Sequence, residues 1–393
     1  MKKIALGGIL AASVPSTVDA LENGLARTPQ MGWNSWNHFA CDISEDLIKE
    51  TADALVDSGL SKLGYEYLNL DDCWQAAARD GDGNVVPDPE RFPSGLRALG
   101  DYIHSKGLKF GIYSSAGFKT CQALPASLGL EDLDAAKYAE WGVDYLKYDD
   151  CFMDHGAPQQ RYPAMARALE RAGRDVLYSL CEWGRENPAA WAGDVANSWR
   201  VSLDIRDDWR SIVSRANIDA PLWRYAGPGG WNDPDMLEIG NGGCSFEEYK
   251  SHFSLWAMLK APLIIGNDIR DLTADDEALQ ILSNEELIAI NQDPLGRQAR
   301  RTWMNRDAPP GLKEEVWTGP LSDGSIAVMI FNKGPIEKLF EVTWDTIGLS
   351  GKGVYMVRDL WKHQNHPLPA SESVHVAVAS HGVVVLKLTP VIE

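Results

Sequence analysis

No stretch of this 393-residue chain stays apolar for the roughly 18 residues a membrane span needs, so the sequence predicts no spanning helix. Positive charge is scarce. Lys and Arg number 37 against 56 Asp and Glu, a net charge of −19, and no basic run is found. Nucleic acid and anionic membrane attract Lys and Arg clusters, so neither is expected as a partner, and a neutral or cationic ligand is left. No Asn-X-Ser/Thr sequon occurs, which removes N-glycosylation. No Gly-rich phosphate turn is present, which argues against a doubly wound nucleotide-binding sheet. The six cysteines include no CxxC, and no HxH or HExxH accompanies them, which weakens a zinc site without removing it. No metal or cofactor is expected.

What is present describes a globular protein. At 45% hydrophobic and 24% charged residues the chain can bury a large core, and its length fits one large domain plus a smaller one. The first 20 residues, "MKKIALGGILAASVPSTVDA", carry two lysines, an apolar run and small residues before a cut. They read as a secretory signal, with a short amphipathic start to the fold as the alternative. The mature chain would begin near Leu21 in an oxidising, secreted or lumenal setting, extracellular, vacuolar or lysosome-like.

Strand-like runs recur near Met31–Trp36, Tyr65–Leu70, Leu108–Ser114, Val143–Tyr148, Asp175–Cys181, Val195–Val201, either Pro221–Ala226 or Gly229–Met236, and Pro262–Ile265. Helical patterns separate them. One opens on a Ser44 cap, repeats Ile48, Ala52, Leu55 and Gly59 on one face, and should end near Gly64. Eight such units predict an α/β fold, a (β/α)8 TIM barrel over residues 21–297. After about Gln298 the texture changes to strands and turns with no helical period, as in "GSIAVMIFNKG" and "HGVVVLKLTP", so residues 298–393 read as a small antiparallel β domain. It lacks a clear aromatic stripe, which favours packing against the barrel over polysaccharide binding.

Several strands close on charge. Trp36, Asp71 with Asp72, Tyr113, Asp149, Cys181 with Glu182 and Trp183, and Arg200 with Asp204 all stand at predicted C-terminal ends, the face on which a barrel displays reactive groups. One such carboxylate is more simply a turn residue. Recurrence on several strands makes them a site. Cys41 and Cys73, and Cys121 and Cys151, are each about thirty residues apart, the step between neighbouring barrel loops. In a secreted chain each pair reads as a disulfide, while Cys181 and Cys244 have no such partner.

The stretches "MGWNSWNHFAC", "NLDDCW", "KFGIYSSAGFKTC", "DYLKYDDC", "LCEWG", "SWRVSLDI" and "GGWNDPDML" closely resemble, in order, the plant-type members of glycoside hydrolase family 27, the clan-D-like α-galactosidases or melibiases. The resemblance spans nearly the whole mature chain. It implies a retaining hydrolase that removes terminal α-D-galactose from oligosaccharides, galactomannans or galactolipids through a covalent galactosyl-enzyme. By the same resemblance Asp149 is the nucleophile and Asp204 the acid/base. Lys147, two residues before Asp149, shares its inward strand face and favours its ionised form. Asp204 must arrive protonated, so its pKa is expected above that of Asp149. A retaining pair needs carboxyls roughly 5 to 5.5 Å apart.

The sugar pocket follows from the same likeness. Asp71 and Asp72 match acceptors for the O4 and O6 hydroxyls, provided the strand bends at its end so that both face inward. Trp36 offers a stacking face, Lys147 a donor. Cys181 and Trp183, expected on one strand face, crowd C2 against an acetamido group. Arg200, Tyr113 and Met236 complete the lining, with Asp235 holding Arg200 from behind; Tyr113 and Met236 fit plain core positions as well. The other readings are a β-L-arabinopyranosidase, an α-N-acetylgalactosaminidase, and a carbohydrate-binding barrel without turnover.

Overall fold

The structure is a computed structural model and describes residues 21, 23–309, 312–349, 353–367 and 369–391. The proposed signal segment lies outside the described residues. Among those residues no helix is long and apolar enough to cross a membrane.

Eight parallel strands form the first unit: β1 (Met31–Asn34), β2 (Tyr67–Asn69), β3 (Lys109–Ser115), β4 (Tyr145–Asp149), β5 (Leu177–Cys181), β6 (Ser198–Arg200), β7 (Trp231–Asp233) and β8 (Leu263–Ile265). From β1 to β7 each pairs with its neighbours in chain order, and β1 pairs with β8. The segment after β7 closes the ring: Leu237 bridges Ile265, its N–H donating to Ile264 O at 2.8 Å. A closed parallel sheet must be covered outside, which is why its strands are short and apolar and the helices between them amphipathic. The helix Glu45–Asp57 shows the logic. Ser44 accepts from Leu47 N, and Ile48, Ala52 and Leu55 are buried.

Two local expectations need correction. That helix ends at Asp57, not near Gly64; Gly59, at φ 82°, breaks it, and a separate 3-10 turn spans Leu60–Leu63. Of the two alternatives for the seventh strand, the later one holds β7, while Ala220–Leu222 is a 3-10 turn. Pro221 has no N–H to give a central ladder, so a buried parallel strand could not form there.

The remaining strands are antiparallel. Among the described residues six make one sheet and two, Lys338–Thr343 and Ser373–Val378, make a second. Val316, Ile330, Leu386 and Leu388 from the first meet Val342, Val374 and Val376 from the second in one apolar cluster, a small sandwich. This unit packs on the barrel. Trp361 Nε1 donates to Ser254 Oγ at 3.0 Å, Ser251 Oγ to His381 O at 2.6 Å, and the Trp209 ring stacks on His381 at 4.7 Å.

Candidate active site

One cavity opens at the C-terminal ends of the barrel strands. Its lining includes all of the twelve sugar-site and catalytic positions singled out in the sequence, from Trp36 to Met236. Strand geometry explains the gathering. In β4, Lys147 and Asp149 are two residues apart and share the inward face. The register sets Tyr113 of β3 beside Lys147 and Cys181 of β5 beside Asp149.

Asp149 is 5% exposed. Tyr113 Oη donates to its Oδ2 at 3.0 Å, and the N–H of Asp150 to its Oδ1 at 2.9 Å. Burial pushes its pKa up to about 7, offset only in part by the Lys147 charge and these two donors. Lys147 Nζ pairs directly with Asp71, at 2.7 Å, so it acts on Asp149 through space. Asp71 Oδ2 also accepts from Asn34 Nδ2 at 2.7 Å.

The strand does bend after Asn69. β2 stops there, Cys73 sits at φ 78°, and Asp71 and Asp72 both line the cavity. Asp72 Oδ2 accepts from Gln122 N at 2.9 Å, which ties the loop after β3 to the loop after β2. Both cysteine pairs are disulfides, Cys41–Cys73 and Cys121–Cys151, with Cα separations of 5.3 and 5.1 Å, and Cys181 and Cys244 are free. The zinc alternative for those four positions therefore falls.

Asp204 has a different environment. Its side chain is 67% exposed, beyond the end of β6. Arg200 Nη2 donates to Asp204 Oδ1 at 3.0 Å and Trp183 Nε1 donates to the same atom at 3.0 Å. Partial burial raises its pKa, but the charges of Arg200 and Lys147 and these donors outweigh that and leave it lowered. The expected order is thus reversed in the open cavity: Asp149 titrates above Asp204. The cause is position. Asp149 lies inside the barrel mouth and Asp204 at its rim beside a guanidinium. Asp235 does hold Arg200, Oδ2 to Nη2 at 2.9 Å, and also accepts from Ile205 N at 2.8 Å.

Trp36 and Trp183 reach the cavity from turns and not from strands. β1 ends at Asn34 and Trp36 opens a helical turn. β5 ends at Cys181, and Trp183 stands at φ 57°, so the two do not share a strand face as expected, although both line the cavity. Cys181 is buried, and burial with Asp149 nearby keeps it a thiol. Tyr113 and Met236, which also fitted core positions, face the cavity. Sequence reasoning missed Asn34, Asn37 and Ile205. Asn34 could have been found, because it closes β1 as Asp149 closes β4.

A closed barrel with carboxylates and other polar groups converging on one cavity at its strand ends has the layout of a glycoside hydrolase. Comparison with known proteins makes this specific. The family described as "Alpha galactosidase A" matches residues 28–293, and "Alpha galactosidase C-terminal beta sandwich domain" matches 313–388. Alpha-galactosidase 3 of Arabidopsis thaliana is 54% identical over 370 residues, 94% of this chain and 84% of that one. The crystal structure of alpha-galactosidase I from Mortierella vinacea superposes with a TM-score of 0.89 at 41% identity, covering 94% of this chain and 98% of that one. An alpha-galactosidase from Saccharomyces cerevisiae solved with raffinose superposes with a TM-score of 0.86 at 34% identity, covering 95% and 100%. The chain belongs to glycoside hydrolase family 27, among its plant-type α-galactosidases, and is an enzyme that removes galactose from galactosides.

Proposed function

We propose that this enzyme works by double displacement, with Asp149 as nucleophile and Asp204 as acid/base. The observation that carries the reading is that the two carboxylates face one cavity, Asp149 from the end of β4 and Asp204 from the loop after β6, each held by its own donors. The Asp149 carboxylate attacks C1 of galactose as the bond from C1 to the leaving oxygen breaks, and that oxygen takes the proton of Asp204. Water then attacks C1, gives a proton to Asp204, and the bond between C1 and Asp149 breaks. Positive charge growing on the ring favours ionised Asp149, and exclusion of water by the aglycone favours protonated Asp204. Binding therefore moves the proton to the group that uses it.

In the same reading Asp71, Asp72 and Lys147 hold the O4 and O6 side of the sugar, Trp36 stacks on it, and Cys181 with Trp183 closes the space at C2 against an acetamido group. Arg200, fixed by Asp235, keeps Asp204 in place, and Tyr113 and Met236 fill the floor. The substrate class is a terminal α-galactoside, for which the raffinose-bound yeast relative is the supporting likeness. Residues 21–297 form the catalytic unit and 298–393 the β unit that buttresses it. The first 20 residues direct export. The experiment is stereochemical. Proton NMR of the first galactose released from methyl α-galactoside should show the α anomer, and the β anomer appearing first would mean inversion.

A further inference from the structure

Large apolar side chains at the surface are not scattered evenly around the cavity mouth. Phe118 is 64% exposed, Phe152 54%, Met153 45% and Leu203 60%. They stand on the loops that follow β3, β4 and β6, and cavity-lining Trp183 stands after β5. Because β3, β4, β5 and β6 are consecutive neighbours, these residues follow one another along a single side of the mouth.

The first two are held together. Phe118 N donates to Phe152 O at 3.0 Å. A Cβ on Gly117 would lie 1.9 Å from Cys151 O, so the two loops touch backbone to backbone there. The Cys121–Cys151 disulfide locks this contact, and its sulfurs lie within 4.8 Å of an Asp149 carboxylate oxygen. Phe152, the residue after Cys151, is thus next to the catalytic cavity. Its φ is 48°, a conformation that a bulky side chain adopts only under constraint, and the residue stands half-exposed to solvent. On the far side, Leu203 immediately precedes the exposed Asp204, where the leaving oxygen departs.

The geometry points to an aglycone platform formed by Phe118, Phe152 and Leu203, on which the sugar rings beyond galactose in an oligosaccharide lay their apolar C–H faces. This rests on the assignment of Asp149 and Asp204, which fixes the direction in which the aglycone leaves. The apolar groups are ring-sized and interrupted by Lys119 and Asp154, so they suit separate sugar rings better than a continuous acyl chain. The net charge of −19 suits a neutral ligand.

The test uses the full chain and its variants Phe118→Ala and Phe152→Gly; glycine takes the φ of Phe152 freely, so that loop keeps its path. Methyl α-galactoside has no ring to stack, and raffinose does. Each variant should lose about fivefold to tenfold in kcat/KM for raffinose, mainly through KM, with methyl galactoside held within about twofold. Parallel loss on both substrates would mean that the residues serve the fold or the galactose pocket, and no loss on either would mean that the platform is unused; both overturn the proposal. Loss confined to a galactolipid in vesicles would overturn it in favour of a lipid aglycone. If the wild type turned over neither sugar, the catalytic reading would fail instead, which the methyl galactoside control makes visible.

Discussion

Asp149 and Asp204 show how environment separates two chemically identical groups. Burial holds Asp149 near 7 while Arg200 and Trp183 hold Asp204 low, so between those values the pair carries one proton. In the proposed mechanism that proton has to reach Asp204 for the first step, so the pH dependence of activity reports the pair and not either residue alone. Raising the pH removes that proton. The profile of kcat/KM for an α-galactoside should therefore be bell-shaped, with its basic limb falling through about pH 7. Activity that stays flat to pH 9 or so would show that the proton used in catalysis is not the one Asp149 holds in the free enzyme. The sequence assigned both aspartates to one cavity, which both line, Asp149 through motif and strand period and Asp204 through motif alone. It could not order their pKa values, since that order depends on how far each side chain stands from solvent.

At the scale of elements, the strand ends were legible and the turns after them were not. Lys147 and Asp149 follow period two inside β4, and alternation put both inward. Trp183 failed that rule because β5 had already ended, and a residue at φ 57° points where its turn sends it. Asp71 and Asp72 both reach the cavity for the same reason, the chain having left β2 at Asn69. The seventh strand was ambiguous between two apolar runs, and the missing N–H of Pro221 decides it. The disulfides were legible because their spacing matches the barrel repeat, and they now tie the loop after β1 to that after β2, and the loop after β3 to that after β4. The polar contacts that orient the acids, from Asn34 to Asp71 and from Trp183 to Asp204, depend on side-chain reach that no periodicity encodes.

For the molecule as a whole, burial of acids sets the response to pH. Burial raises Asp149 to about 7, Glu182 to about 8, Asp219 to about 8, Asp233 to about 6 and Glu238 to about 7. Each keeps a proton in the folded state that the unfolded chain has already released above about pH 4. The folded state therefore binds more protons, and stability falls as pH rises from about 4 through 8. His252, lowered to about 3 by burial, works the other way below about pH 6.5, and Lys260, lowered to about 8 by burial, works the other way near pH 8, but these are two groups against five. Self-repulsion of a chain with net charge −19 adds to the trend. The melting temperature should be higher at pH 5 than at pH 8 by at least ~5 °C. A higher value at pH 8 would show that these acids are ionised in the folded protein.

The central claim is that Asp149 forms a covalent bond with galactose. A fluorinated galactosyl fluoride, which slows release of the sugar more than its attachment, should trap that intermediate, and digestion followed by mass spectrometry should locate it. The account predicts one galactosyl group on the peptide carrying Asp149 and none on Asp204. Label on Asp204, or turnover of the reagent with no labelled peptide at any time, would contradict it.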